Sequence, residues 1–365
     1  MLVVEDNITV EAKGPAELGN FCYGIPLMWG AGKSIIRIEA EGEGGLVLNV
    51  SDLLELGDLE FKGYVLSLPH PIGLVENQTF RMSVRMILNG SLTSQGEDTY
   101  KVEVPMYPVT SLRISNSSLV VELPTKATIV NTDPDDMDRK YENGIWKAVY
   151  NVTGVMEFSH EVAKITFSRT DPLPLVSCSY LEREVIVGPF GHLQIVDKYQ
   201  LTSLLLEKLE YIDLIFPAEA SSFSAFDSMG EIPTSIEEVR DYKKLRITLR
   251  TPVESRSPFS LNVRYELPWG KYVEEGDLWH FTLNISIQYA LNWPVELALI
   301  KVVLPQGASY INSSSPINYL SRGFLREEVG FVFSSLLPFE ETSLRVDYSY
   351  TCLLYTSDAA DDGES

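Results

Sequence analysis

The chain has 365 residues, 45 % of them hydrophobic, and a formal net charge of −22 at pH 7. That apolar content fills the cores of two or three domains and excludes a disordered chain. The charge excludes a nucleic-acid binder, because phosphate recognition needs a basic surface; otherwise it acts on solubility.

Met1 leads directly into strand-like sequence, without the basic region and apolar core of a signal peptide. Through residues 3–62 the sequence predicts short strands at 8–12, 35–39 and 46–50, separated by glycine clusters. Gly32-Lys33-Ser34 has the look of a phosphate loop, but Leu27 stands where the motif needs glycine, and Ile35-Ile36-Arg37-Ile38 is β-like where a helix must follow. Residues 61–68 and 80–88 read as two strands joined through Pro69-His70-Pro71-Ile72-Gly73, a hairpin-like pair. Further short strands are expected around Val102, Leu112, Leu119 and Ile129, and over 145–150 and 163–168. Such regular spacing with almost no helical periodicity predicts β-sandwich architecture. The acidic run from Asp133 to Asp138 is no EF-hand loop, having Asp138 where glycine belongs and Gly144 where a bidentate glutamate belongs.

The prolines of residues 171–179 open the second half. Residues 183–187 and 193–201 flank the turn from Gly188 to His192, which predicts a hairpin. Residues 204–216 carry some helical spacing but end as a strand does, at Pro217; 221–235 reads as a loop with an embedded strand. A strand is expected at 245–249 and a turn at 252–258. In 280–289 the residues Phe281, Leu283, Ile285 and Ile287 alternate with polar ones, the period of a strand with one buried face. The run 299–304 is stopped by Pro305-Gln306-Gly307, residues 331–333 form another strand, and Leu344, Val346, Tyr348 and Tyr350 share one face of a last one.

These elements predict an all-β protein of tandem sandwich-like domains built from antiparallel sheets, the first over 1–176 and the second over 177–351. Residues 352–365, which begin CLLYTSDAADD, resemble a translated sequencing adapter and are set aside from fold reasoning, so the natural protein is expected to continue past Thr351 and its N-terminus to be truncated. No window reaches the ~18 consecutive apolar residues of a membrane span. Without the terminal Cys352, two cysteines remain, Cys22 and Cys178; a disulfide or two buried thiols would both fit.

Eight Asn-X-Ser/Thr triplets occur, at Asn7, Asn49, Asn77, Asn89, Asn116, Asn151, Asn284 and Asn312, where about two would arise by chance. The excess favours an extracytoplasmic chain, with these asparagines on exposed strand faces or turns. Reactive chemistry is sparse. His70, His160, His192 and His280 have no metal-pair spacing, and no cofactor, nucleophile-elbow or metal motif is present. Glu274-Glu275 and Glu340-Glu341 are adjacent acids, which on a strand face opposite ways. An enzyme would need a pocket gathering His192 or His280 with two carboxylates from distant positions.

The order Tyr265-Glu-Leu-Pro268, a run ending in Gly276-Asp277, an alternating strand, and Lys301-Val-Val-Leu-Pro-Gln-Gly-Ala308 resembles the membrane-proximal luminal part of the ribophorin I family. Arg183 to Val196 is similar to that family's arginine-led strand, turn and following strand, with only Gly191 and the aromatic before it kept in the turn. Asp227 to Ser235 and the segment from Tyr64 to Asn89 resemble further family stretches. The resemblance covers roughly residues 61–350 and rests on structural turns, not on catalytic residues. It implies a non-catalytic accessory subunit of an oligosaccharyltransferase, active in protein N-glycosylation on the extracytoplasmic side of a membrane, either the endoplasmic reticulum lumen or an archaeal cell-surface equivalent. Its implied partners are the catalytic and other subunits of the transferase and nascent or unfolded protein, with a single membrane helix after Tyr350 and no cofactor. A cell-surface or adhesion glycoprotein of the same architecture is the alternative.

Overall fold

The computed structural model describes residues 2–27, 34–96, 98–170, 173, 175–188, 191–276, 279–287, 289–290, 293–323, 326–338 and 342–350. It is 71 % strand and 3 % helix, an all-β fold. The chain divides into two compact units, Met1–Leu173 and Pro174–Ser365, a boundary three residues ahead of the expected one at 176/177.

The core of the first unit lies between two sheets. One runs in the order Leu2–Glu11, Thr79–Asn89, Ser34–Gly42, Leu46–Val47; the other runs Val109–Thr110, Ala16–Pro26, Phe61–Leu74, Asn49–Val50. Alternation sends Met82, Val84, Met86 and Leu88 from the first sheet against Phe21, Tyr23, Ile25 and Leu66 of the second. Each such side chain contributes about 1.5–3 kcal/mol when fully removed from water. Two further sheets complete the unit: Ala127–Asp133, Val162–Arg169, Thr99–Pro105, Leu92–Ser94, and Ile114–Glu122, Ile145–Val155, Asp138–Glu142.

The expected hairpin of 61–68 with 80–88 does not form. Phe61–Leu74 pairs with Ala16–Pro26, while Thr79–Asn89 pairs with Leu2–Glu11 and Ser34–Gly42 in the opposite sheet. Pro69 and Pro71 sit where the ladder is interrupted, between the Leu18↔Ile72 and Asn20↔Ser67 pairs, so the strand continues past them. Proline lacks a donor and is tolerated at such a bulge. The strand Ala16–Pro26 gave no clear period because of its glycines. Gly24 faces Gly63 across the ladder, and a Cβ there would stand 2.3 Å from the Lys62 carbonyl oxygen, so glycine is the residue the close approach demands. Leu112 lies in a bend ahead of Ile114–Glu122 and not in a strand.

An eight-stranded sheet organises the second unit, in the order Gly230–Ile232, Ser221–Asp227, Pro258–Pro268, His192–Ser203, Val176–Val187, Val295–Val303, Glu327–Leu336, Tyr319–Arg322. Its neighbours are the sheets Leu209–Pro217, Tyr242–Val253, Thr234–Val239 and Val273–Glu275, His280–Ser286, Ser343–Tyr350, Ala308–Ser313. Antiparallel sheets are expected from the sequence, and among the described residues of this one a single pair, Val176–Val187 with Val295–Val303, runs parallel. Parallel neighbours need a long connection, and here residues 188–294 lie between the two strands. Residues 221–235, expected as a loop with an embedded strand, are mostly strand. Leu283, Ile285 and Ile287 are buried as their alternation requires, and Ile285 pairs with Leu344 of the last described strand. Cys22 and Cys178 are both free thiols.

Candidate functional site

The densest buried polar cluster lies in the second unit, at the centre of its large sheet. Along Val176–Val187 the core-facing positions are Leu181, Arg183, Val185 and Val187; along His192–Ser203 they are Leu193, Ile195, Asp197, Tyr199 and Leu201. Register places Arg183 directly opposite Asp197, so the charges meet on the inner face. Arg183 Nε donates to Asp197 Oδ1 at 2.6 Å and Nη2 to Oδ2 at 2.7 Å, the two-point fork that a planar guanidinium makes with a carboxylate. Both side chains are 0 % exposed.

The remaining Arg183 donors reach the segment that follows His280–Ser286. Nη1 donates to the Ile287 carbonyl at 2.8 Å and Nη2 to that of Tyr289 at 2.5 Å. Tyr199 Oη donates to Asp197 Oδ2 at 2.9 Å and lies 3.2 Å from the Ala290 carbonyl oxygen. Ala290 has a positive φ of 60°, and its amide donates to the Ile215 carbonyl. Three backbone carbonyls of an irregular segment are thus fixed from the hairpin. Burial works against the Arg183 charge, but Asp197 outweighs it and holds the guanidinium pKa well above its ordinary value. Burial, then the Asp197 carboxylate, pushes the Tyr199 phenol well up as well. The cluster therefore stays ionised on Arg183 and protonated on Tyr199, with no open face toward solvent. Chemically it is a clamp.

The candidate chemical residues lie apart from it. His70, His160, His192 and His280 are all exposed, and His160 is 2.9 Å from Glu60. Glu274 and Glu275 are exposed in Val273–Glu275; Glu340 and Glu341, like Lys33 of the rejected phosphate loop, lie outside the described residues. Among the described residues no three His, Cys, Asp or Glu side chains gather at metal-binding distance. Lys301, in the stretch that resembles ribophorin I, makes an ion pair with Glu182 at 3.0 Å.

Of the eight sequon asparagines, Asn7, Asn49, Asn77, Asn116, Asn151, Asn284 and Asn312 are exposed, and the side chain of Asn89 lies outside the described residues. A groove of ≈ 1070 Å³ in the first unit runs along Leu2–Glu11 and Ile114–Glu122 and reaches Asn151 to Thr153. Sequence reasoning missed both the clamp and the groove. The clamp had a signal, opposite charges at core-facing positions of one hairpin, whereas the groove depends on how distant strands assemble.

The structure defines the class only as an all-β protein of two units. Comparisons with known proteins add little to that. No protein-family model and no curated protein matches the chain. Among solved structures, it is similar to an M1 zinc metallopeptidase from Deinococcus radiodurans with a TM-score of 0.35 and 13 % identity over 50 % of this chain. A two-domain form of an M1 zinc metallopeptidase gives 0.33 and 12 % over 49 %. The chain spans 44 % of each of those structures, and likeness at this level says nothing of activity.

Proposed function

We propose that the chain is the extracytoplasmic region of a non-catalytic oligosaccharyltransferase subunit of the ribophorin I type, which scaffolds the complex or holds substrate protein during N-glycosylation. One observation carries this reading. Of the second-unit stretches that resemble the family, Arg183 to Val196, Tyr265 to Pro268 and parts of Asp227 to Ser235 and Lys301 to Ala308 fall on strands of the eight-stranded sheet, while the alternating strand His280–Ser286 lies in a neighbouring sheet. The arginine that leads the family-like strand is the clamp residue Arg183.

Exposure of the seven described sequon asparagines is compatible with an extracytoplasmic address. A rigid sheet with its buried charges fully paired suits a scaffold, since it presents fixed surfaces to partner subunits. The first unit supports the reading less, because the segment from Tyr64 to Asn89 belongs to two different sheets and is no hairpin. Deleting the gene tests the proposal. Sequon occupancy on the cell's other glycoproteins should fall while their synthesis is unchanged; unaltered occupancy would favour the cell-surface glycoprotein instead.

A further inference from the structure

We infer that the groove of the first unit is a glycan cradle: N-linked oligosaccharides carried on Asn7, Asn116 and Asn151 lie along it and cover two open sheet edges. This rests on the extracytoplasmic address proposed above. Among the described residues, Leu2–Glu11 is the terminal strand of its sheet and pairs only with Thr79–Asn89, and Ile114–Glu122 is the terminal strand of another and pairs only with Ile145–Val155. The groove follows both edges. An open edge is a row of backbone donors and acceptors ready to pair with another chain, a hazard that proteins cover or interrupt.

Three complete sequons line this groove, Asn7 with Thr9, Asn116 with Ser118 and Asn151 with Thr153. With 22 of 365 residues lining it and eight sequons in the chain, an even spread would put fewer than one there. The arrangement is also ordered. Asn116 pairs with Thr153 and Ser118 pairs with Asn151, so each asparagine stands opposite the hydroxyl residue of the other's triplet. Directly opposed residues of an antiparallel pair share a face, as do residues two apart. The two asparagines are therefore diagonal neighbours, about 7–8 Å apart, on one face. All four residues are exposed, as are Asn7 and Thr9 on the outer face of Leu2–Glu11. The volume is at the upper end of small-molecule pockets, about 1,000 Å³, which gives room for several sugar rings.

The modification is ordinary N-glycosylation, with a polyprenyl-diphosphate oligosaccharide as donor. The asparagine Nδ2 attacks the anomeric carbon, the C1–O bond to the diphosphate breaks as the N–C1 bond forms, and the amide loses one proton to a base. The polyprenyl diphosphate departs with the bonding pair. Addition to the extended chain before folding leaves the later pairing of Asn116 and Asn151 intact.

The test secretes the full chain from yeast behind a cleavable leader, maps occupancy by glycopeptide mass spectrometry, and measures oligomeric state by light scattering. Glycan is expected on Asn7 and on at least one of Asn116 and Asn151. The variant Thr9→Ala/Ser118→Ala/Thr153→Ala should then shift from monomer to dimer or larger, whereas Asn284→Gln/Asn312→Gln stays monomeric. The set Asn7→Gln/Asn116→Gln/Asn151→Gln repeats the first comparison with different side chains, guarding against a folding defect. Bare groove sequons beside modified Asn284 and Asn312 overturn the proposal, as does a triple variant that stays monomeric. Absence of glycan at all eight sites overturns it together with the extracytoplasmic address, while membership in a transferase complex is read separately by co-purification.

Discussion

Arg183 and Asp197 face each other across a hairpin in a two-point ion pair at 2.6 and 2.7 Å, with neither side chain reaching solvent. Removing one partner strands a buried charge, so Arg183→Met or Asp197→Leu alone should destabilise the second unit by about 3–5 kcal/mol. Replacing both together should cost much less, because an apolar pair of similar volume leaves no charge to solvate. Denaturant unfolding of the two single variants and the double gives the cycle. A cost for the double equal to the sum of the singles would show that the pair is not coupled.

Ile285 is 1 % exposed, registers with Leu344, and lies in the strand that leads into the segment that Arg183 clamps. Ile285→Asp puts a carboxylate on that core face, which costs several kcal/mol unless the group is neutralised. The expected outcome is loss of the second unit's thermal transition while that of the first, which has its own core, persists. An unchanged melt would contradict the register.

Asp6 accepts a hydrogen bond from Tyr23 Oη, and burial raises its pKa from 3.8 to about 6. The folded chain thus holds this proton more tightly than the unfolded one. Its contribution is favourable below pH 4 and is lost as pH rises through about 6. Asp6→Asn should keep the Tyr23 contact, stabilise the first unit at pH 7, and flatten the pH dependence between 4 and 6. Urea midpoints taken across that range for both proteins measure it; parallel profiles would exclude the mechanism.

Burial pushes the Cys178 thiol up to about 12, so almost no thiolate exists at pH 8. Maleimide should label Cys178 only after denaturation. Rapid labelling of the native chain at that position would mean that the edge of the second core opens readily.

The fold was legible wherever burial imposed a clean period. Phe281, Leu283, Ile285 and Ile287 declare their strand, and the hairpin around Gly191 follows from two alternating runs. Proline and glycine misled where their role was packing or a bulge and not a turn, as at Pro69 and Pro71, and at Gly24. The strand pairing of the first unit was illegible because Phe61–Leu74 and Thr79–Asn89 cross between sheets, a choice made by long-range burial. The clamp went unread because charged residues are ordinarily exposed. Arg183 becomes informative only once Leu181, Val185 and Val187 establish that its position faces inward.

The central claim is tested most directly by tagging the product of the gene in its own cell and purifying it from native membranes in mild detergent. Stoichiometric co-purification of the multi-span catalytic transferase is the expected result. Recovery of the protein alone, or with envelope glycoproteins in place of the transferase, would contradict the accessory-subunit reading.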